Sequence, residues 1–529
     1  MNLENKSPLT FRAILTGIIG LAIITSSSMY VALRMGALPW PTVFVTVLSM
    51  AILGKAKGST LAEINCTHTL MSAGAMVAGG LAFTLPGLWI RDPNAEFSYL
   101  SIVIISVTGA VLGILFTSIF RETFIDKEKL PYPMGIAAYK TLIAGKEGKG
   151  APVLFSSMGF SAIFTFLRDK LLVIPSTLTL FGGSAIIPPL YLWVSPMALG
   201  IGAIIGPALA IMWFLGSVLG YYVITPIGLS AGFFENMAEA DLFRSNLGLG
   251  LMIGTGAGVA IVSIIKLFKN KSGKTIDIKQ KKDKLLTGVI VAFFAIILLT
   301  VFTEIKLAEA ILLIIGAYLA AYLSGMLTGQ TGINPMEVFA ILVLLFISTL
   351  FSPTIKAGFS IAAVVAVAAG LTGDVMNDLK SGSLVGTNPR HQMIAEAIGG
   401  VIGAIIASLA LIVLKNSFGG FGTAELPSPQ AASVAAMMGG IGNKTAFFLG
   451  VIIGIVLYIA KVPAATLGLG FYLSTSISSI MALGVIISSM AKKLAKNSQK
   501  ADENASFVSA GLLGGEGITG VIIAIASMF

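Results

Sequence analysis

The feature that most constrains this chain is the recurrence, from one end to the other, of apolar stretches long enough to cross a bilayer. A transmembrane helix needs about 20 consecutive apolar residues. Such stretches fall at 11–33, 38–54, 60–88, 98–120, 152–168, 172–194, 197–222 and 246–268. A second set falls at 285–304, 307–327, 335–352, 356–378, 391–415, 444–460, 463–490 and 505–528. The length rule thus predicts about 16 spans. Two shorter apolar pieces, 132–145 and 428–440, either cross or re-enter as half-helices, which gives a range of about 15 to 17. Composition agrees, since 56% hydrophobic and 11% charged residues are too apolar a mixture for a water-soluble globule. The expected fold is all-α, a polytopic transmembrane helical bundle. Its 60 glycines and 20 prolines suit membrane helices, which pack through small residues and break where they line a cavity. The stretch beginning at Phe11 exceeds the roughly 7 to 15 apolar residues of a signal peptide core and reads as the first span.

The formal net charge of +10 sits in loops between apolar stretches, where cytoplasmic segments concentrate lysine. No basic domain of the kind that binds nucleic acid is present. The loop Lys266–Lys284 carries Lys266, Lys269, Lys271, Lys274, Lys279, Lys281, Lys282 and Lys284 against Asp277 and Asp283. It is expected to be cytoplasmic, as are the loops with Lys492, Lys493, Lys496 and Lys500 and with Arg121, Lys127 and Lys129. A single cysteine, Cys66, excludes an intrachain disulfide and a multi-cysteine metal site.

The halves of the chain resemble each other. Gly36, Pro39, Pro131 and Pro133 each recur 296 residues later, as Gly332, Pro335, Pro427 and Pro429. Gly250, Leu251, Gly254 and Gly256 recur after 261 residues as Gly511, Leu512, Gly515 and Gly517. A parallel repeat would put the lysines of 492–500 outside, so the expectation is a two-fold inverted repeat with broken or half helices and a substrate site near the midplane. Residues 1–270 form the first transmembrane repeat, 271–306 a basic cytoplasmic loop and linking helix, and 307–529 the second repeat. The pieces 132–145 and 428–440 are expected to face each other near the membrane centre.

Interrupted helices expose backbone carbonyls and helix ends that bind charged ligands. LPYPMGIAAYK and LPSPQAASVAAMM each place two prolines ahead of a short apolar helix, which singles out Tyr132 and Gln430, although proline is also ordinary at a helix start. Residues 371–392 gather Asp374, Asn377, Asp378, Lys380, Asn388, Arg390 and His391 between two apolar helices. Asp374 and Asp378 share a helix face, and Arg390 is expected to neutralise one of them. Ionisable residues inside apolar stretches are costly and usually functional, which adds Glu63, His68, Glu337, Glu396 and Glu516. Glu63 and Thr67, and Asn65 and His68, are spaced to form a polar stripe on one helix. Burial of Glu63 in lipid would suit it to carry a proton, while His68 is equally read as a hydrogen-bonded structural histidine.

GDVMNDLKSGSLVGTNPR resembles the most characteristic stretch of the oligopeptide transporter family, including its yellow-stripe-like metal-chelate branch. The LPYPMG and LPSPQA elements, TGINPMEVF at 331–339 and LAEINCTHTLMSAGAMVAGGLAFTLPGL at 61–88 are similar to the same family. The resemblance spans nearly the whole chain and implies a proton-coupled importer of oligopeptides, or of metal complexes of peptide-like chelators, in the plasma membrane of a prokaryote. It implies no cofactor beyond the proton gradient, and it is compatible with a homodimer. The NPG-type and KIPPR-type motifs of the eukaryotic peptide branch are missing.

Other classes fit less well. GGIGNKT at 439–445 is not a phosphate loop, because Asn443 breaks the required Gly-Lys-Ser/Thr run. A membrane aspartyl protease of the GxGD type would need glycine where Leu371 stands, and there is no HExxH zinc motif. The chain is therefore not expected to be an enzyme. A passive channel would not call for a two-fold repeat with broken helices.

Overall fold

The structure is a computed structural model that describes residues 7–36, 38, 42–54, 56, 58–145, 150–269, 278–331, 334–440, 442–495 and 498–526. The repeat landmarks Pro39 and Gly332, and the centre of the lysine loop, lie outside the described residues. In the first half the helices are α1 (Phe11–Met35), α2 (Thr42–Leu53), α3 (Leu61–Ala82), α4 (Pro86–Arg91), α5 (Tyr99–Arg121), α6 (Pro133–Gly145), α7 (Gly150–Asp169), α8 (Pro196–Ser217), α9 (Thr225–Ser230) and α10 (Met237–Lys269). They continue with α11 (Ile278–Phe302), α12 (Leu307–Thr331), α13 (Met336–Leu350), α14 (Ile355–Val385), α15 (Pro389–Ser417), α16 (Pro429–Ala435), α17 (Lys444–Ile459), α18 (Ala464–Tyr472), α19 (Thr475–Leu494) and α20 (Ser498–Ala526). Among the described residues, 9 helices are long and apolar enough to cross a membrane, and Leu286–Phe302, Met336–Leu350 and Lys444–Ile459 are shorter apolar helices. With its apolar helices, this is an integral membrane protein.

Two expected spans take another form. The stretch 172–194 is an antiparallel hairpin of β1 (Thr177–Phe181) and β2 (Leu190–Trp193). Pro175, Gly182, Gly183 and the pair Pro188–Pro189 interrupt it, and prolines cannot supply the amide donors that a helix interior needs. The stretch 463–490 is divided at Leu473–Ser474 into α18 and α19.

The chain folds into two compact units, each drawn from both sequence halves. The first holds α1–α6 and α11–α16. At its centre α3 and α14 run antiparallel, since Asn65 meets Ser381, Ser72 meets Asp378 and Gly80 meets Val367, and Gly87 of the following α4 continues the series on Phe359. The pair is nearly sealed from its surroundings, with almost every residue of α3 and most of α14 buried. Its flanks are parallel. Gly109 and Gly113 of α5 lie against Val364–Val367 and Ala368 of α14, and Gly399 and Gly403 of α15 lie against Leu70 and Gly74 of α3. A Cβ on Gly403 would come 2.5 Å from the Gly74 Cα, so the two backbones touch, as small residues allow between membrane helices.

Helix boundaries in this unit recur with the sequence landmarks. α1 spans 11–35 and α12 spans 307–331, while α6 and α16 begin at Pro133 and Pro429, a shift of 296 in each case. Before each half-helix stands a left-handed residue, Tyr132 at φ 46° and Ser428 at φ 45°. Tyr132 N–H donates to Gly329 O and Ser428 N–H to Leu33 O, both at 2.8 Å. Leu33 and Gly329 are themselves 296 apart, so the hydrogen bonds repeat with the sequence. The half-helices do not, however, face each other. Gly135 packs on Asn377 and its counterpart Ala431 packs on Gly87 beside Phe359, about 27 Å apart along α14 at 1.5 Å per residue. α6 docks near the C-terminal end of α14 and α16 docks on α4, just past the C-terminal end of α3, and those ends point in opposite directions.

One end of this unit is richer in cations than the other. It gathers the N-termini of α1, α3 and α15 and the C-termini of α5 and α14, bringing Arg12, Arg121, Lys127, Lys380 and Arg390, with the acids Glu63, Glu122, Asp126 and Glu128, to the same level. Ser101 at the start of α5 donates 2.7 Å to Phe302 O at the end of α11. α11 therefore runs back along α5 and begins, with Lys279, Lys281, Lys282 and Lys284, at the basic end. The opposite end carries Arg91, Lys306, Lys356 and Lys415 together with Asp92, Glu96, Glu304 and Glu425.

The second unit holds α7–α10, the hairpin and α17–α20. The repeated glycine motif has a packing cause here. A Cβ on Gly250 or Gly254 of α10 would collide with Phe447 O or Val451 O of α17, and one on Gly511 or Gly515 of α20 with Leu154 O or Met158 O of α7. α8 bends at Gly206, φ 80°, before Pro207. It packs antiparallel on α19 through a reciprocal contact, Gly202 on Met481 O and Gly484 on Leu199 O.

A carboxylate and histidine cluster in the first unit

α14 starts at Thr354, whose side chain caps it, and ends at Gly386 in the left-handed conformation, φ 85°. The segment 371–385 is thus helix rather than loop, and it carries Asp374, Asn377 and Asp378 into the buried core, each no more than 4% exposed. α15 opens at Asn388, which caps the Arg390 amide, with Pro389 in its first turn. Gln392 and Glu396 follow one turn apart on one face, both fully buried. From α3, Asn65, His68, Thr69 and Ser72 project toward the same layer.

The contacts are specific. Ser72 Oγ donates 2.6 Å to Asp378 Oδ2. His68 Nδ1 lies 3.9 Å from Asp378 Oδ1, and neither His68 nitrogen has a hydrogen-bond partner among the described residues. Gln392 Nε2 donates to Asp378 O at 2.8 Å and Thr69 Oγ1 at 3.2 Å. Asn65 Nδ2 donates 2.8 Å to Ser381 Oγ. Asn377 Oδ1 accepts from the Gly135 amide at 3.1 Å, which ties the half-helix α6 to this layer. Asp374 and Glu396 sit close enough to Asp378 for their charges to act on one another. Neither oxygen of Glu396, nor Asp374 Oδ2, has a donor among the described residues. No Lys or Arg pairs with any of the three carboxylates there. Crowding carboxylates together out of water without a cation is costly, and groups placed so inside a membrane are usually functional, which makes this layer the candidate site.

The family model for the oligopeptide transporters matches residues 8–527. The chain belongs to the oligopeptide transporter family. A Haemophilus influenzae protein provisionally named as an oligopeptide transporter is 26% identical to it, over 94% of this chain and 92% of that protein. The molecule is thus a membrane transporter, and its family is not one of enzymes.

Not every residue singled out in the sequence joins the cluster of this transporter. Glu63 is buried at the start of α3, but Arg12 Nε and Nη2 donate to its two oxygens at 2.7 Å and Thr10 Oγ1 at 2.5 Å. The expected single stripe on α3 is two, with Glu63 and Thr67 facing α1 and Asn65 and His68 facing α14. Arg390 is exposed in the first turn of α15 and makes no ion pair among the described residues. It does not neutralise Asp374 or Asp378; His68 takes the place beside Asp378. Tyr132 is buried and donates from its hydroxyl to Gly325 O at 3.0 Å. Gln430 is buried in the first turn of α16 and Glu337 is half-buried in that of α13. Glu516 belongs to the second unit, where Arg168 Nη2, Ser195 Oγ and the Met197 amide donate to it at 2.8, 2.9 and 2.9 Å. Ser72, Thr69, Ser381 and Gln392 were not singled out; small polar residues in an apolar helix carry a signal only once their partner helix is known.

Proposed function

We propose that this protein is a proton-coupled importer of oligopeptides in the plasma membrane, with the coupled proton carried by His68, Asp374, Asp378 and Glu396. The observation that carries the reading is the buried layer in which three carboxylates and a histidine lie together with unpartnered oxygens and nitrogens and no paired Lys or Arg among the described residues. A group that changes charge during the cycle is what coupling to a proton gradient needs, and intramembrane ionisable residues commonly provide it. The peptide substrate is supported by the family and by the name that the Haemophilus relative bears.

The architecture we infer for it is a two-fold inverted repeat of 1–270 and 307–529, joined by 271–306. Its support is the antiparallel α3–α14 register, the parallel α5–α14 and α15–α3 packing, and the matched hydrogen bonds of Tyr132 and Ser428. Transporters of this kind expose a midplane site alternately to either side.

The test is uptake into liposomes holding the purified protein. Asp378→Asn is expected to abolish uptake driven by an inward proton gradient while leaving substrate exchange at equal pH intact. Unchanged gradient-driven uptake by Asp378→Asn, Asp374→Asn and Glu396→Gln would reject the site. Competition by short peptides, set against iron-loaded chelators, separates the peptide reading from the metal-chelate one.

A further inference from the structure

The second unit holds a double interruption of neighbouring helices. The antiparallel register of α8 on α19 continues onto α18, where a Cβ on Gly216 would collide with Leu467 O and one on Gly470 with Trp213 O. The bend at Gly206 and the break at Leu473–Ser474 therefore fall within about one turn of each other. Paired interruptions of this sort in transporters expose helix ends to a ligand. α19 presents its positive N-terminal end there. Its capping residue, Ser474, is exposed and bonds Ser476 Oγ at 2.7 Å rather than an amide of the first turn.

Arg244 of α10 reaches the same break. Its Nη1 donates to Phe471 O in the last turn of α18, and its guanidinium lies 3.8 Å over the Tyr221 ring, whose hydroxyl donates 3.2 Å to Leu473 O. The fork that grips a carboxylate is the other edge, Nε with Nη2. Arg12 and Arg168 close that edge on two oxygens of one carboxylate at 2.6–2.7 Å. In Arg244 a single oxygen of Asp241 takes both bonds, at 3.4 and 3.2 Å. Arg244 is 7% exposed and Asp241 48%, so the arginine is fixed in the interior while its loosely held acid stands at the surface. Tyr472 lies close enough to interact with the Arg244 charge and brings a second hydroxyl to the place. The charge is not part of the repeated frame, since the position 261 residues after Arg244 is Ala505. Lys266 follows 22 residues later on α10 (266 − 244), about 33 Å away, so Arg244 stands near the membrane face opposite the lysine loop, within reach of a solute.

We propose that Arg244, with Tyr221 beneath it and Tyr472 and the N-terminus of α19 beside it, is a binding site for a carboxylate of the transported substrate, and that Asp241 holds the place until the ligand arrives. The inference rests on the peptide reading of the substrate, whose C-terminus is then the carboxylate bound; a carboxylate-bearing metal chelate offers the same group. The ligand's two oxygens take the Nε–Nη2 edge, Asp241 turns out to water, and Nη1 keeps Phe471 O, so the break stays tied while the partner of the fork changes.

The experiment follows thermal stability of the purified full-length protein, which a ligand of the folded state raises. The probes are a defined mixture of tripeptides as free acids, the same mixture as C-terminal amides, and iron-loaded nicotianamine. Free acids are expected to bind at least about tenfold tighter than amides, the scale of one hydrogen bond to a charged group. In Arg244→Gln the two mixtures are expected to bind alike. Arg244→Lys, which keeps the charge and loses the fork, is expected to fall between and serves if Arg244→Gln fails to fold. Asp241→Asn is expected to tighten the acids several-fold and leave the amides unchanged, a result that an arginine serving only to tie the helix break would not give. Equal binding of acids and amides by the native protein, a folded Arg244 variant that keeps the full preference, an Asp241→Asn that tightens amides as much as acids, or no binding by either class of probe overturns the inference. Binding of the iron chelate alone, lost in Arg244→Gln, would overturn the peptide reading while upholding the carboxylate site.

Discussion

At Tyr132 and Ser428 the backbone adopts a conformation that L-residues avoid, because it brings Cβ toward the following carbonyl oxygen, at a cost of about 1–2 kcal/mol. Both positions precede a proline that opens a half-helix, and each donates its amide to a long helix of the other sequence half, Tyr132 to α12 and Ser428 to α1. Ser428 makes one weak side-chain contact, 3.3 Å to Leu426 O, so Ser428→Gly is expected to keep or raise thermal stability in detergent. Ser428→Val, β-branched at positive φ, is expected to lose about 1–2 kcal/mol; equal melting temperatures for the two would contradict the strain assigned here. The paired LPYP and LPSP strings announced this feature, since a motif kept at one offset marks a shared turn. The cluster was legible only in pieces. Asp374 and Asp378 stood out as acids in an apolar context, as did His68. Their neighbours Ser72 and Gln392 did not, because a serine among alanines in a buried helix reads as packing until a carboxylate is placed opposite. Arg12 carries no signal of its own in the sequence, and only the parallel packing of α1 on α3 reveals it as the partner of Glu63.

Between elements, the backbones of facing helices touch through glycine. Gly254 meets Val451 O and Gly515 meets Met158 O at equivalent points of two helix pairs. Van der Waals packing of this kind replaces the hydrophobic effect as the cause of association inside a bilayer. Gly254→Ala and Gly515→Ala are each expected to push their helices apart and destabilise the protein by about 1–3 kcal/mol. Gly159→Ala on α7, where a Cβ would meet nothing within 4 Å, should be neutral or slightly stabilising. Thermal unfolding followed by scintillation or dye binding measures all three, and a Gly159→Ala loss equal to the others would show that helix propensity, not close approach, governs these sites. Sequence spacing found the glycine repeat but could not say what each glycine faces. Hydropathy likewise could not tell the 172–194 hairpin from a span, because an apolar strand pair and an apolar helix have the same composition. Pro175, the Gly182–Gly183 pair and Pro188–Pro189 argue against a helix in 172–194, whereas the α18–α19 break at Leu473 carries no proline at all.

Over the whole molecule, orientation follows from where the cations gather. In the first unit, the N-termini of α1, α3, α11 and α15 share an end with the C-termini of α5 and α14, and the lysines of α11 lie there. Moving such an end across the bilayer during insertion would drag several ammonium groups through hydrocarbon, each at about 2.5–3.5 kcal/mol on the insertion scale, whereas the opposite end offers fewer cations and as many acids. Two exposed positions report the outcome in a Cys66→Ala background. Asn94 lies in the turn between α4 and α5 at the less basic end, and Asp126 lies just past α5 at the basic end; both are exposed. Asn94→Cys is expected to react with an impermeant maleimide on intact cells, and Asp126→Cys only after the membrane is permeabilised. The reverse pattern would place the lysine-rich end outside.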